Sequence, residues 1–193
     1  MTNIFAVVTG IAVLAFPGMA EAHMFGAQGA GLGSGLAHPF SGVDHLLAMF
    51  AVGLWAARLG GRFAWLLPVG FLLGMSAGGA LALVGGGLPL VEPGIVGSVM
   101  LLGAVLALDV RVAPATGLAM VAGFALFHGY GHGTEIPEAA APLAYAIGFI
   151  TSTAILHAAG LAAGYLIARA RQPVVAKLAG VSILGSGLAL AVF

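Results

Sequence analysis

Residues 38–56 form a largely apolar stretch that carries three side chains of metal-binding type, His38, Asp44 and His45. Imidazole and carboxylate ligands without thiolates suit Ni²⁺, Co²⁺ or Zn²⁺ better than Cu⁺, whereas Mg²⁺ and Ca²⁺ prefer oxygen ligands. If the stretch is one helix with Pro39 in its first turn, His38 and His45 share a face, because their seven-residue separation is roughly 20° short of two turns. We therefore expect these three side chains to contact a metal ion. The alternative is that Asp44 and His45 pair with each other or with the backbone.

The composition indicates that these side chains are held by membrane helices. Hydrophobic residues make up 61% of the 193 residues and charged residues only 6%, whereas a soluble domain has about a quarter charged residues. The predicted fold is an all-α, polytopic transmembrane helix bundle with about six spans after an N-terminal signal peptide. Each span is near the ~20 residues that a bilayer requires, and the spans are placed at about 38–58, 63–85, 93–110, 112–131, 141–168 and 173–192.

Residues 1–22 have the features of a secretory signal peptide. An apolar core is followed by a small-residue cleavage motif at residues 20–22, although no Lys or Arg precedes the core. Cleavage would leave residues 23–193 as a single transmembrane domain; an uncleaved first helix is the alternative. Cleavage would also make His23 the N-terminal residue, whose amine and imidazole can together chelate a divalent cation. The alternative for His23 is a disordered, Gly-rich start of the mature chain.

A second group of imidazole and carboxylate side chains follows the fourth predicted span. His128, His132 and Glu135 are spaced about one turn apart and would share a face of a helix. Glycines at positions 129, 131 and 133 are expected to break that helix. Two interpretations therefore remain. The three side chains either capture a metal ion or belong to a solvated outer loop.

Two further ionisable residues complete the set of candidate metal ligands. Glu92 stands at the mouth of the third span, where it is either a ligand or a favourable charge at a helix N-terminus. His157 lies within the fifth span, where it is either a ligand or a hydrogen-bonding group between helices. Ionisable groups inside a span are costly and rare without a function.

The basic residues predict the orientation of the bundle. All six fall in the connections after the first, third and fifth spans or at the edges of those connections, a side that should be cytoplasmic. The mature N-terminus would then lie outside, as signal cleavage requires. Acidic and imidazole groups would line the outer face and attract cations there.

The composition also excludes several classes of protein. The net charge is zero, with six basic residues, which argues against a nucleic-acid partner. The chain has no Cys, so disulfides, thiolate metal sites and cysteine nucleophiles are excluded. It has no Gly-rich phosphate-binding loop, so ATP bound to this chain cannot supply energy.

Residues 38–53, with the sequence HPFSGVDHLLAMFAVG, resemble the signature of the HupE/UreJ family. The resemblance extends over most of the chain, through Glu92 before Pro-Gly-Ile, residues 127–135 and His157. It implies a nickel, sometimes cobalt, permease of the bacterial inner (plasma) membrane associated with hydrogenase and urease systems. The resemblance places His38, Asp44 and His45 in the path of the metal ion. It makes His128, His132 and Glu135 further candidate ligands.

The resemblance also bears on partners and catalysis. It implies a transporter rather than an enzyme, without a prosthetic group, whose partners are the transported Ni²⁺ or Co²⁺ and the lipid bilayer. Cytoplasmic nickel chaperones of hydrogenase or urease assembly are candidate recipients, and the oligomeric state is left open. The residues leave two other classes open: an intramembrane zinc-dependent hydrolase, and a haem-binding electron carrier that would use histidines such as His45 and His157.

Overall fold

The computed structural model describes residues 31–110, 112–136 and 141–192, so the predicted signal peptide and His23 lie outside the described residues. The described part is all-helical, which confirms the predicted fold class, and six helices of 17–28 residues lie at the six predicted span positions. The elements are α1 (Leu32–Ala37), a 3-10 turn (His38–Phe40), α2 (Val43–Leu59), α3 (Phe63–Leu83), α4 (Val91–Ala107), α5 (Pro114–Thr134), α6 (Pro142–Arg169) and α7 (Pro173–Val192).

The helices have the length and composition of an integral membrane protein. Three of them, α3, α6 and α7, are long and apolar enough to cross a bilayer, and the bent pair of α1 with its 3-10 turn and α2 gives a fourth candidate span. Helix α4 is apolar but shorter, with 17 residues. Large apolar side chains such as Trp65, Leu73 and Leu166 are exposed on the outer surface, which fits a surface in contact with lipid.

The first predicted helix is broken, so the prediction of one continuous helix from residue 38 was wrong. The segment before α2 and α2 itself meet at an angle of 81°. Gly42 between them is extended (φ −102°, ψ 122°), and the Ser41 hydroxyl donates to the His38 carbonyl oxygen at 2.6 Å. Glycine and serine are poor helix-interior residues because backbone entropy and local hydrogen bonds favour turns. His38 and His45 therefore approach each other across a bend rather than along one helix face.

Glycines allow the helices to pair at very short range. A Cβ at Gly78 of α3 would overlap the Leu126 carbonyl oxygen of α5, and one at Gly53 of α2 would overlap the His157 carbonyl oxygen of α6. Gly103 of α4 lies equally close to the backbone of α7. Small residues let membrane helices approach in this way. The glycines of α3 form a stripe of small residues that contacts α5.

Helix α5 continues through three glycines, so the predicted break at positions 129, 131 and 133 was wrong. The helix ends only at Thr134. Gly129 lies against the Met75 backbone, and a Cβ at Gly133 would be 2.7 Å from the Ala82 Cβ. Glycine costs about 1 kcal/mol relative to alanine in a helix, but here it permits close packing against α3. The unbroken helix carries His128 and His132 on fixed positions rather than in a solvated loop.

Candidate metal site

Three histidines from three elements converge where α2 begins and α5 ends. One ligand nitrogen from each of His38, His45 and His132 lies within 4.8 Å of the other two. The ring centroids of His45 and His132 are 4.0 Å apart, and those of His38 and His132 are 4.7 Å apart. His45 and His132 are buried, whereas His38 is partly exposed. Three convergent imidazoles can hold a divalent transition-metal ion and leave positions for other ligands.

The two nitrogens of His132 are the least satisfied polar atoms of this cluster. Both are buried and have no hydrogen-bond partner in the described part of the chain. The nearest acidic atom, Oε2 of Glu135, is 3.6 Å from Nδ1. A buried polar group without a partner costs about 1–3 kcal/mol. His132 therefore has a lone pair that a bound ion would satisfy.

Glu135 supplies a carboxylate at the outer rim of the cluster. It directly follows α5 and is about half exposed, and its Oε2 lies 3.2 Å from Nε2 of His38. The neighbouring imidazoles of His132 and then of His38 lower the pKa of the Glu135 carboxyl below its usual range. The side chain is therefore negatively charged at neutral pH and adds cation affinity at the exposed side of the cluster.

Asp44 lies beside the cluster, in the first turn of α2. Its Oδ1 accepts a hydrogen bond of 2.8 Å from the His45 backbone N–H and lies 3.7 Å from Nδ1 of His45. A carboxylate is also favourable at a helix N-terminus. Asp44 thus pairs with the side chain and the backbone of His45, which is the alternative interpretation given from the sequence. Asp44 is not one of the three convergent groups.

His128 connects the cluster to a buried serine. Its Nδ1 lies 3.0 Å from Nδ1 of His45, and its Nε2 lies 2.8 Å from the Ser98 hydroxyl. That hydroxyl also lies 2.6 Å from the carbonyl oxygen of Ile95. Because a carbonyl can only accept, Ser98 donates to Ile95 and accepts the Nε2–H of His128. Nδ1 of His128 then accepts the Nδ1–H of His45, which leaves the His45 Nε2 lone pair free for a metal ion.

Ser98 is a residue of the site that the sequence alone does not single out. Its only signal was a lone hydroxyl within an apolar span, and serines in membrane helices commonly bond to their own backbone. Its contact with His128 depends on the packing of α4 against α5, which one sequence does not specify.

His157 lies deeper in the bundle and is separate from the three convergent histidines. Its Nδ1 donates to the Met49 carbonyl oxygen at 2.7 Å, which is the interhelical hydrogen bond left open above. Its Nε2 is buried without a partner among the described residues. The ring of Phe71 lies 5.6 Å from the His128 ring and 4.9 Å from the His157 ring. A series of rings therefore leads from the cluster inward to a second free imidazole nitrogen.

Glu92 lies apart from the three-histidine cluster. Glu92 is exposed in the first turn of α4 and makes no ion pair with any histidine of the described residues. Its position is that of a favourable charge at a helix N-terminus. His23 falls in the part of the chain outside the described ranges.

An apolar cavity reaches His132 from the side of the bundle. It has a volume of about 180 Å³ and lies between α3, α5 and α6. The hydroxyl of Tyr145, also on its wall, is buried without a hydrogen-bond partner in the described chain. Its ring centroid is 5.8 Å from that of His38. The cluster is therefore enclosed by apolar surface on one side and by Glu135 on the other.

The chain is similar to known proteins over most of its length. A family model described as HupE / UreJ protein matches residues 11–190. The chain is similar to Protein HupE of Rhizobium leguminosarum bv. viciae, with 42% identity over 187 residues that cover 96% of this chain and 97% of that protein. No solved structure matches the chain.

Proposed function

The chain belongs to the HupE/UreJ family, and on this premise we propose that it is a secondary transporter that imports Ni²⁺, with Co²⁺ as an alternative cargo. Family membership supports a nickel- or cobalt-permease-like role in hydrogenase or urease systems. The proposal places the protein in the bacterial inner membrane, with the mature N-terminus in the periplasm. Nickel chaperones of hydrogenase or urease assembly are proposed recipients in the cytoplasm.

The convergence of three histidines carries this proposal. One ligand nitrogen from each of His38, His45 and His132 can meet at a single ion, and the two His132 nitrogens have no hydrogen-bond partner among the described residues. Imidazole ligands select late first-row divalent metals over Mg²⁺ or Ca²⁺. A cluster of this kind inside apolar helices is more readily explained by a permeating ion than by stability, because unpaired buried nitrogens destabilise the fold.

The order of the polar groups suggests how the ion would pass. Glu135 and His38 would receive it at the exposed rim, and the three histidines would then hold it in the buried cluster. Movement inward would require the Phe71 ring to shift, after which the free Nε2 of His157 offers the next ligand. A divalent cation that moves inward gains about 4.6 kcal/mol per 100 mV of membrane potential, twice the value for one charge.

The hydrogen-bonded chain through His128 gives that residue a positioning role in this proposal. It fixes the tautomer of His45 so that Nε2 faces the metal, as groups beyond the ligands commonly do in metal sites. His128 itself has both nitrogens engaged, by His45 and Ser98. It therefore holds the ligand His45 in place.

Uptake of radioactive nickel into cells that express the protein tests the proposed function. At limiting nickel concentration, such cells should accumulate more nickel than cells with an empty vector, and excess cobalt should compete. Accumulation no greater than that of the vector control, at verified protein abundance in the membrane, would contradict transport.

The Ser98→Ala substitution should weaken nickel binding without removing a ligand. It deletes the acceptor for the His128 Nε2–H, so His45 is no longer held in one tautomer, and the loss of an outer-shell partner typically costs about 10–100-fold in metal affinity. Isothermal titration of the purified protein with Ni²⁺ measures the change.

Ser76→Ala is the matched control for Ser98→Ala. Ser76 is exposed on α3 and its hydroxyl donates only to the Leu72 carbonyl oxygen, so this variant should bind nickel like the wild type. Equal nickel affinities of the Ser98→Ala and Ser76→Ala variants would contradict the positioning role of His128.

The Glu135→Gln substitution should slow nickel uptake at low nickel concentration. It removes the negative charge that contacts His38 and His132 while it preserves the size of the side chain. A loss of roughly tenfold in apparent affinity corresponds to one charge-assisted contact. Glu92→Gln removes the same charge away from the cluster, and uptake should be little changed. Similar losses in both variants would show that overall acidity, not the Glu135 contact, governs capture.

A further inference from the structure

A second cavity lies at the end of the bundle opposite the histidine cluster. It has a volume of about 290 Å³ and is bounded by the last turns of α2, α4 and α6 and by the beginning of α7. Most of its wall is apolar, with Leu54 and Ile167 among the lining residues. Its polar lining comes from Arg58, Arg171 and Gln172. The cavity thus combines an apolar interior with a cationic rim.

The charges at this end of the bundle are strongly unbalanced. Five basic residues of the described chain gather in or beside two of the connections there, the one after α2 and the one after α6: Arg58, Arg62, Arg169, Arg171 and Lys177. Among the described residues the only acidic side chain at this end is Asp109, and it forms an ion pair with Arg58. The remaining positive charge favours an anionic ligand and repels a divalent cation. The cavity is therefore unsuited to the passage of nickel.

Arg171 is the residue best placed to hold an anion. It lies two residues after the end of α6, lines the cavity, and forms no ion pair with any described residue. Its backbone is in the left-handed region (φ 54°), which glycine would adopt without strain. Glycine would supply no positive charge at this position, whereas arginine does. The planar guanidinium of arginine can bind a phosphate group through two parallel hydrogen bonds.

We propose that this cavity binds an anionic phospholipid from the membrane leaflet at the positively charged end. The lipid phosphate contacts Arg171 and Arg58, and an acyl chain follows the apolar wall toward Leu54. Basic pockets between transmembrane helices are known to hold lipid headgroups of this charge. The site is independent of the proposed nickel transport, because none of its lining residues belongs to the histidine cluster.

Native mass spectrometry of the detergent-purified protein tests this site. The protein is incubated with phosphatidylglycerol or with phosphatidylcholine of the same acyl chains. We expect one phosphatidylglycerol to be retained in preference to phosphatidylcholine. Arg171→Gln should lower its retention about tenfold, the effect of one lost charged hydrogen-bonding group, whereas Arg171→Lys should retain more lipid than Arg171→Gln.

Arg62→Gln is the matched control, because it removes the same charge at the same end. Arg62 is absent from the cavity wall and its guanidinium lies 5.2 Å from the centre of the Phe63 ring. This variant should retain the lipid like the wild type, and all variants should melt near the wild-type temperature. Equal retention of the two lipids, or equal losses in Arg62→Gln and Arg171→Gln, would overturn the proposal. Displacement of phosphatidylglycerol by millimolar inorganic phosphate would also overturn it and assign the site to a soluble anion.

Discussion

Replacement of His132 by alanine is expected to remove high-affinity nickel binding and to abolish nickel uptake at limiting nickel. His132 supplies one of the three convergent ligand nitrogens, and neither of its nitrogens has a hydrogen-bond partner in the described chain. The substitution therefore deletes a ligand without breaking a hydrogen bond of the described chain, and Glu135 keeps its contact with His38. Because outer-shell partners alone account for about 10–100-fold in affinity, the loss of a ligand should exceed that range. Titration of purified protein and radioactive uptake measure binding and transport separately.

His157→Ala is the informative comparison for His132→Ala. His157 is equally buried but lies beyond Phe71 and outside the three-histidine cluster. In the proposed path it acts after the cluster, so this variant should bind nickel with nearly wild-type affinity and yet transport it slowly. Nickel binding by His132→Ala that matches the wild type would refute the proposed site. Loss of binding in both variants, at unchanged thermal stability, would place His157 in the same site.

Gly129→Ala is expected to have the largest effect on stability of any single-methyl addition in α5. A Cβ at this position would overlap the Met75 carbonyl oxygen, so α5 must move away from α3. Overpacking of this kind costs about 1–3 kcal/mol and occasionally more. Because Gly129 lies directly between His128 and the last turn that carries His132, the shift should also weaken nickel binding. Thermal unfolding in detergent and the yield of folded protein measure the effect.

Gly123→Ala gives a control on the same helix with the same chemical change. Gly123 is exposed, and a Cβ there would have no neighbour within 4 Å. Alanine is favoured over glycine in a helix by about 1 kcal/mol, so this variant should be as stable as the wild type or slightly more stable. Similar melting temperatures for the two variants would mean that α3 and α5 pack less closely than described.

The sequence predicted best the features that depend on composition alone, which are the number and positions of the long helices. Strong hydropathy, interrupted at short polar connections, predicted the positions of all six long helices. The positions of individual side chains depended on tertiary packing. The glycines of α5 were read as helix breakers because intrinsic propensity disfavours them, but packing against Met75 and Ala82 holds them in the helix.

The candidate metal site could likewise be predicted only in part from the sequence. Residue type and sequence motif identified His38, His45 and His132 as candidate ligands, and the structure brings them together. Their geometry was not predictable from spacing, because Gly42 bends the chain by 81° between the first two. The hydrogen bond from His128 to Ser98 joins two helices, and a single sequence carries no signal of such a pairing.

The distance along the chain between the converging histidines has a consequence for biosynthesis. His45 and His132 are 87 positions apart, so at a synthesis rate of about 5–20 residues per second the ribosome makes the second roughly 4–17 s after the first. During that interval the nascent chain already displays His38 and His45 but cannot close a three-nitrogen site. In the proposed site, nickel affinity is therefore acquired late, when α5 docks against α3. A translation product that stops before α5 should then not compete with finished molecules for scarce metal.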